Sequence, residues 1–151
     1  MTSAPLETLT LRDLRGITDD EVEALYTSAF HYTQAGQLTD ALTLFKGLVA
    51  LDHLEGRFWL GLGCVQQRLG DFEAAIRSYA FASLLDLHDP RPQFAAATCY
   101  LKLGQPALAE SALAALETFC PASAMGNTYR AKARLLRHSL QHSSGESHDH
   151  D

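Results

Sequence analysis

Residues 25–42 (LYTSAFHYTQAGQLTDAL), 59–76 (WLGLGCVQQRLGDFEAAI) and 93–110 (QFAAATCYLKLGQPALAE) align with one another without gaps. In this alignment one glycine position and one alanine position recur every 34 residues: Gly36, Gly70 and Gly104, and Ala41, Ala75 and Ala109. A recurrence of two positions with one period predicts that a single structural unit is repeated along the chain.

A period of 34 residues is typical of tetratricopeptide repeats, in which each unit is a pair of antiparallel helices. The sequence therefore predicts an all-α fold with three helical hairpins, at about residues 22–55, 56–89 and 90–123, forming a short superhelix with a concave groove. A further helix over about 122–141 has apolar residues at helical spacing, and it would cap the exposed end of the stack. These residues are Met125, Tyr129, Ala133, Leu136 and Leu140.

Capping residues place the helix boundaries. Thr18 and Glu21 form a capping box, so the first long helix is predicted over about 19–35 and ends at Gly36. The helices that follow are predicted near 38–51, 56–69, 72–85, 91–103 and 106–119. Asp71 is a good N-cap, and Pro106 suits a first helical position.

The two ends of the chain lie outside the repeats. Residues 1–17 are predicted to be an N-terminal arm, with apolar Leu6, Leu9, Leu11 and Leu14 that a short helix or a partner contact would use. The repeat domain then extends from 18 to 141. We expect residues 142–151 to be a disordered tail, because Ser, His, Asp, Gly and Glu leave it nothing to bury.

Small residues mark the seam within each hairpin. Ala29, Gly63 and Ala97 would face the recurring alanines, and larger side chains on both helices would fill the rest of the core. We expect that core to include Leu25, Tyr32, Phe45, Trp59, Leu62, Tyr79, Ala96, Tyr100 and Leu113.

A second stripe follows the first helix of each repeat and points away from the seam, because steps of four and three residues lie on one helix face. It predicts a peptide-binding groove with a mainly apolar lining, since monomers seldom leave such a surface bare. The residues are Tyr26, Phe30, Thr33, Leu60, Cys64, Gln67, Phe94, Thr98 and Leu101. The alternative is that the lead segment or a second copy covers this face.

Composition excludes several functional classes. The formal charge of -6 argues against a duplex-binding surface. The start of the chain lacks the basic-then-apolar order of a secretory signal, and three widely spaced cysteines give neither a disulfide framework nor a zinc site. The repeats contain no nucleophile–base pair, so we expect no enzyme activity, no catalytic residue, no metal and no cofactor. The His and Asp residues of the tail would at most bind a metal weakly.

Four segments carry a resemblance to a known family: 25–30 (LYTSAF), 51–53 (LDH), 57–63 (RFWLGLG) and 89–91 (DPR). Together they resemble the class II type III secretion chaperones, which are small tetratricopeptide proteins that serve translocator subunits. The likeness covers about Thr18 to Leu116. It implies a cytoplasmic chaperone that binds hydrophobic translocator proteins in its concave groove, prevents their aggregation and premature membrane insertion, and often forms a homodimer.

A generic tetratricopeptide adaptor that links folded partners is the competing interpretation. The chain departs from the family pattern at Leu38, where an aromatic residue is frequent, and at Trp59, where Phe is usual. The second stripe favours the chaperone interpretation, because an extended peptide with apolar anchors fits an apolar lining better than the surface of a folded partner does.

Overall fold

The computed structural model describes residues 9–145, with side chains through residue 143. Within that range every regular element is a helix, which confirms the all-α prediction. The elements are α1 (Leu11–Arg15), α2 (Asp19–Gln34), α3 (Leu38–Leu51), α4 (Gly56–Arg68), α5 (Phe72–Leu85), α6 (Arg91–Lys102), α7 (Pro106–Phe119) and α8 (Ala124–Gly145). None of these helices is long and apolar enough to cross a membrane.

Caps and glycines start and stop the helices as predicted. Thr18 and Glu21 form a reciprocal capping box at the start of α2, and the Asp71 side chain accepts a hydrogen bond from the Ala74 backbone at the start of α5. Gly36, Gly70 and Gly104 have φ angles of 75°, 81° and 68°. That left-handed conformation is costly for any residue with a Cβ, which explains why glycine recurs there.

Consecutive helices pack as hairpins, α2 with α3, α4 with α5, and α6 with α7. The first helices of successive hairpins also approach one another, in the order α2, α4, α6 and α8, with Cα atoms within 8 Å. Between residues 9 and 145, no such approach joins α3 to α5 or α5 to α7. The layer α2–α4–α6–α8 is therefore the tighter one, and the stack curves with this inner layer on its concave side.

The predicted seam is the core of each hairpin. The seam alanines are completely buried, and the larger residues that fill the core beside them are at most 3% exposed. The alanines are Ala29, Ala41, Ala75, Ala97 and Ala109, and the larger residues are Phe45, Tyr79 and Leu113. Gly63 is buried too, and a Cβ at that position would overlap the Tyr79 ring. The small residues thus allow the aromatic rings of the partner helix to approach the backbone closely.

Leu25 and Tyr32 depart from the prediction, because they are 37% and 39% exposed rather than core. The position of Leu25 recurs at Trp59, which donates to the His53 carbonyl, and at Gln93, which donates to Ser83 on α5. Those partners belong to the preceding hairpin, whereas within residues 9–145 only the short helix α1 precedes α2. The exposure of Tyr32 has no such explanation in the structure.

The two chain ends differ from the prediction in detail. The arm contains α1, capped by Thr10 and Asp13, while residues 1–8 lie outside the described range. α8 continues to Gly145, so residues 142–145 are helical where we expected disorder. No glycine or proline occurs between residues 127 and 144, and the Ser143 hydroxyl donates to the Leu140 carbonyl. The remainder of the predicted tail, 146–151, lies outside the described residues.

Candidate peptide-binding groove

The inner layer carries a stripe of side chains that we call the groove stripe. It comprises the nine residues predicted from the sequence: Tyr26, Phe30, Thr33, Leu60, Cys64, Gln67, Phe94, Thr98 and Leu101. Three of them lie on each of α2, α4 and α6, which are neighbours in the inner layer. The structure therefore places all nine on adjacent helices of one layer.

Tyr26, the first groove-stripe residue on α2, is held by neighbouring side chains. The Tyr26 ring packs edge-on against Phe45, with centroids 6.1 Å apart, and lies 5.7 Å from the Phe58 ring. The Arg57 guanidinium covers it, 4.7 Å from the ring centroid. The ring is half-buried, so part of it remains at the surface despite these contacts.

The equivalent residues on α4 and α6 are half-buried in the same way. Leu60 packs against the buried cluster that contains Ala75, Tyr79 and Cys99. Phe94 makes an edge-on contact with Tyr129 of α8, with ring centroids 5.6 Å apart. Both side chains therefore contact the core and remain partly exposed.

Phe30 and Cys64 are the most open residues of the groove stripe. Phe30 is 48% exposed. Cys64 is also exposed, while Cys99 and Cys120 are buried. Neighbouring side chains desolvate the Cys64 thiol and raise its pKa, and Arg68 partly opposes this shift. A protonated thiol is a small apolar surface rather than a nucleophile.

Polar residues join the inner helices across the groove stripe. The Gln67 amide donates to the Thr98 hydroxyl at 3.0 Å, linking α4 to α6, and accepts from the Tyr79 hydroxyl at 2.7 Å. Arg68 donates to the Thr33 carbonyl, linking α4 to α2. Each link holds two neighbouring helices in register, so the stripe stays continuous from one repeat to the next.

Thr33 is the groove-stripe residue that contributes least to the surface. It is buried, and its hydroxyl donates to the Ala29 carbonyl of its own helix at 2.8 Å. Thr98 likewise donates to the Ala95 carbonyl, but it remains half-buried beside Gln67. Leu101 packs against the last buried cluster, near Leu113.

The prediction from sequence omitted two residues of α8, Tyr129 and Lys132. Tyr129 contacts Phe94, and the Lys132 ammonium lies 4.7 Å from the Tyr129 ring centroid and 6.0 Å from the Phe94 centroid. The signal was present in the repeat period, because 34 residues beyond Thr98 is position 132. The prediction assigned α8 to capping alone and did not extend the groove stripe onto it.

Cationic side chains lie along the same layer. The Arg91 guanidinium donates to the Asp89 carboxylate, and this hydrogen bond raises the pKa of Arg91. The Arg57 guanidinium donates to Glu23 of α2 in the same way, and that bond raises the pKa of Arg57.

No family model matches the chain. Its sequence is 42% identical over 104 residues to the low calcium response locus protein H of Yersinia pestis, a match that covers 69% of this chain and 62% of the Yersinia protein. The chain therefore spans less than two thirds of that relative's length.

Two solved structures are similar over most of their length. The Yersinia enterocolitica type III secretion translocator chaperone SycD superposes with a TM-score of 0.81 at 34% identity, covering 87% of this chain and 98% of SycD. PcrH, in complex with the chaperone-binding region of PopD, gives a TM-score of 0.81 at 35% identity, covering 85% and 97%. The tetratricopeptide-type fold and the resemblance stated from the sequence are confirmed, and the chain belongs to the type III secretion translocator chaperones.

Proposed function

We propose that this protein is a cytoplasmic, non-enzymatic chaperone that binds an extended apolar segment of hydrophobic translocator proteins along its groove stripe. The observation that carries the proposal is the row of half-buried anchors on successive inner helices, Tyr26, Leu60 and Phe94. The relative SycD, which was solved in complex with a peptide of the translocator YopD, supports the assignment of the guest class.

The lining matches an extended guest chain in two ways. Apolar anchors of the guest would remove from water the faces of Tyr26, Phe30, Leu60 and Phe94 that the fold leaves bare, and full burial of such a side chain stabilises by roughly 1.5–3 kcal/mol. The Gln67 amide uses one of its two N–H donors on Thr98. The other can bond to the backbone of a guest, since an extended chain has unpaired carbonyls.

Occlusion is a sufficient mechanism. A translocator carries membrane-seeking segments that aggregate or insert if they are released too early. Binding lowers the concentration of the free segment by mass action, and the complex remains soluble as long as the affinity exceeds that of self-association. The cycle requires no nucleotide, metal or covalent step. A homodimer would present two such grooves.

Isothermal titration with synthetic peptides that carry spaced Pro and Leu anchors tests this function. The Tyr26→Ala/Phe94→Ala double variant should weaken binding at least tenfold, because two anchor contacts are lost. Since both rings also pack inside the protein, Phe30→Ala is the cleaner variant, and it should weaken binding severalfold without lowering the melting temperature.

Leu84→Ala is the matched control. Leu84 lies on α5, an outer helix, and is 74% exposed, so its loss should leave peptide affinity unchanged. Unchanged affinity in the Tyr26→Ala/Phe94→Ala variant would defeat the groove assignment. Binding of folded partners but of no apolar peptide would favour the adaptor interpretation instead.

A further inference from the structure

The groove stripe continues onto α8 with a different chemistry. Adding the 34-residue period to Phe94 and Thr98 leads to Thr128 and Lys132, both exposed on α8. α8 approaches α6 as α6 approaches α4, so it is the fourth member of the inner layer. The lining therefore changes from aromatic and aliphatic on the first three inner helices to hydroxyl and ammonium on the fourth.

The Lys132 ammonium lies close to the rings of Phe94 and Tyr129. It is 4.7 Å from the Tyr129 ring centroid and 6.0 Å from that of Phe94. Among the residues that the structure describes, no carboxylate lies within 4.0 Å of it. A ring face attracts a cation without neutralising it, so the ammonium keeps its donors for a further partner.

Two guanidinium groups near the groove stripe already have carboxylate partners. Arg57 makes a two-pronged contact with Glu23 of α2, with Nη2 2.8 Å from the carboxylate oxygen. Arg91 pairs with Asp89, also at 2.8 Å. A carboxylate arriving at either guanidinium would have to share it with an existing acid, whereas at Lys132 it would not.

Charge is segregated along the inner layer as a whole. Helices α4, α6 and α8 contain no Asp or Glu and eight of the chain's 12 Lys and Arg residues, whereas α2 contains four acids and neither Lys nor Arg. The eight are Arg57, Arg68, Arg91, Lys102, Arg130, Lys132, Arg134 and Arg137. The potential along the layer thus becomes more positive from α2 towards α8, against a net charge of -6 for the chain.

Part of the charge on α8 has a purely structural use. Arg137 pairs with Glu110 and Glu117 of α7, and Arg130 donates to the Cys120 carbonyl. These contacts fasten α8 to the preceding hairpin. They do not involve Lys132, which lies at the groove-stripe position of α8.

We propose that Lys132 pairs with a carboxylate of the guest, next to the apolar side chain of the guest that contacts Phe94. This proposal rests on the proposed function. The α8 end of the groove then selects translocator segments in which an apolar anchor is flanked by Asp or Glu. The apolar stripe supplies most of the affinity, and Lys132 supplies selectivity and fixes which end of the guest lies over α8.

The experiment compares two synthetic peptides with identical Pro and Leu anchors, one flanked at both ends by Glu and the other by Lys, in fluorescence anisotropy titrations. The native protein should bind the Glu-flanked peptide about fivefold more tightly in low salt. The Glu-flanked peptide forms an exposed ion pair with Lys132, whereas the Lys-flanked peptide places a second cation beside it. The preference should shrink at about 1 M salt, where the screening length falls to about 3 Å.

Lys132→Glu should abolish or reverse the preference, and Lys132→Gln should reduce it. Lys46→Glu is the matched control, because it makes the same charge change on an exposed residue of α3 in the outer layer and should leave the preference intact. Equal binding of both peptides by the native protein, or a preference unaffected by Lys132→Glu, would overturn the assignment and leave the chaperone function standing. Binding of neither peptide would overturn both.

Discussion

The side chains of Gln67 and Thr98 meet in the middle of the groove stripe, with the amide nitrogen 3.0 Å from the hydroxyl oxygen. The same Gln67 side chain accepts from the hydroxyl of Tyr79, a residue that is only 2% exposed. One glutamine therefore joins α4 to the next inner helix and to its own outer helix. A surface residue of the groove is at the same time part of the core.

Gln67→Leu should destabilise the fold by about 1–3 kcal/mol, because it leaves the buried Tyr79 hydroxyl without its acceptor. Removing both partners in Gln67→Leu/Tyr79→Phe should recover most of that loss, since no unsatisfied polar group then remains. Urea unfolding of the two single variants and the double variant measures the coupling. Strictly additive losses would show that the Gln67–Tyr79 bond does not matter for stability.

Substituting glycines by alanine distinguishes a glycine that is closely packed from one that lies on an open helix surface. A Cβ at Gly126, in the first turn of α8, would overlap the backbone carbonyl oxygen of Pro121, which cannot move aside as a flexible side chain can. Gly126→Ala should therefore cost about 1–3 kcal/mol in the free energy of unfolding.

Gly47→Ala is the comparison for that variant. Gly47 lies inside α3, and a Cβ there would meet no atom within 4 Å. The substitution should stabilise by up to about 1 kcal/mol through helix propensity. Thermal unfolding of both variants checks the prediction, and a stabilising Gly126→Ala would mean that α8 does not dock as described.

Cys64 is a natural probe of the groove. Because Cys99 and Cys120 are buried, iodoacetamide should label the native protein at Cys64 alone, as determined by peptide mass spectrometry. Desolvation raises the thiol pKa above its ordinary value of 9.0, so labelling at pH 8 should be slower than for a free cysteine and should accelerate as the pH rises.

A bound groove peptide should protect Cys64 further. The degree of protection should follow peptide concentration with the affinity measured by titration, and Cys64→Ser should remove the labelled product. Full reactivity of Cys64 in the saturated complex would place the guest away from the groove stripe.

The capping box of α2 makes stability depend on pH. The Thr18 backbone N–H, and then its hydroxyl, donate to the Glu21 carboxylate and lower its pKa below the ordinary value of 4.5. A carboxyl whose pKa is lower in the folded state stabilises the fold above its unfolded pKa, and the contribution disappears as the pH falls through the folded value.

Glu21→Gln should therefore lower the melting temperature at pH 6, and the difference from the native protein should shrink as the pH falls below 4.5 and through the lowered pKa of Glu21. Asp20→Asn changes the same charge on a neighbour whose side chain is not the Thr18 capping partner, so its effect should be smaller. A difference that stays constant from pH 6 to pH 3 would contradict the assignment.

Most of the fold could be predicted from local chemistry. The caps and the glycines with positive φ act over a few residues, and the 34-residue period repeats them along the chain. Together they predict the seven helices from α2 to α8 to within a few residues of their ends. The end of α8 was the largest error, because a polar composition predicts disorder but does not by itself stop a helix.

The groove stripe was predictable for the same reason, since helix periodicity decides which residues share a face. The periodicity could not decide what covers that face. Thr33 is on the predicted line and yet buried, and Leu25 is on the seam side and yet exposed.

The sequence by itself determined the repeat, the helix ends and the line of side chains along each inner helix, since those follow from bonds and sterics within a few turns. Only the tertiary structure decided that α8 joins the inner layer and sets Lys132 beside Phe94, because that contact depends on how one hairpin docks against the next. Docking is governed by packing between residues far apart in the chain, which no local pattern records.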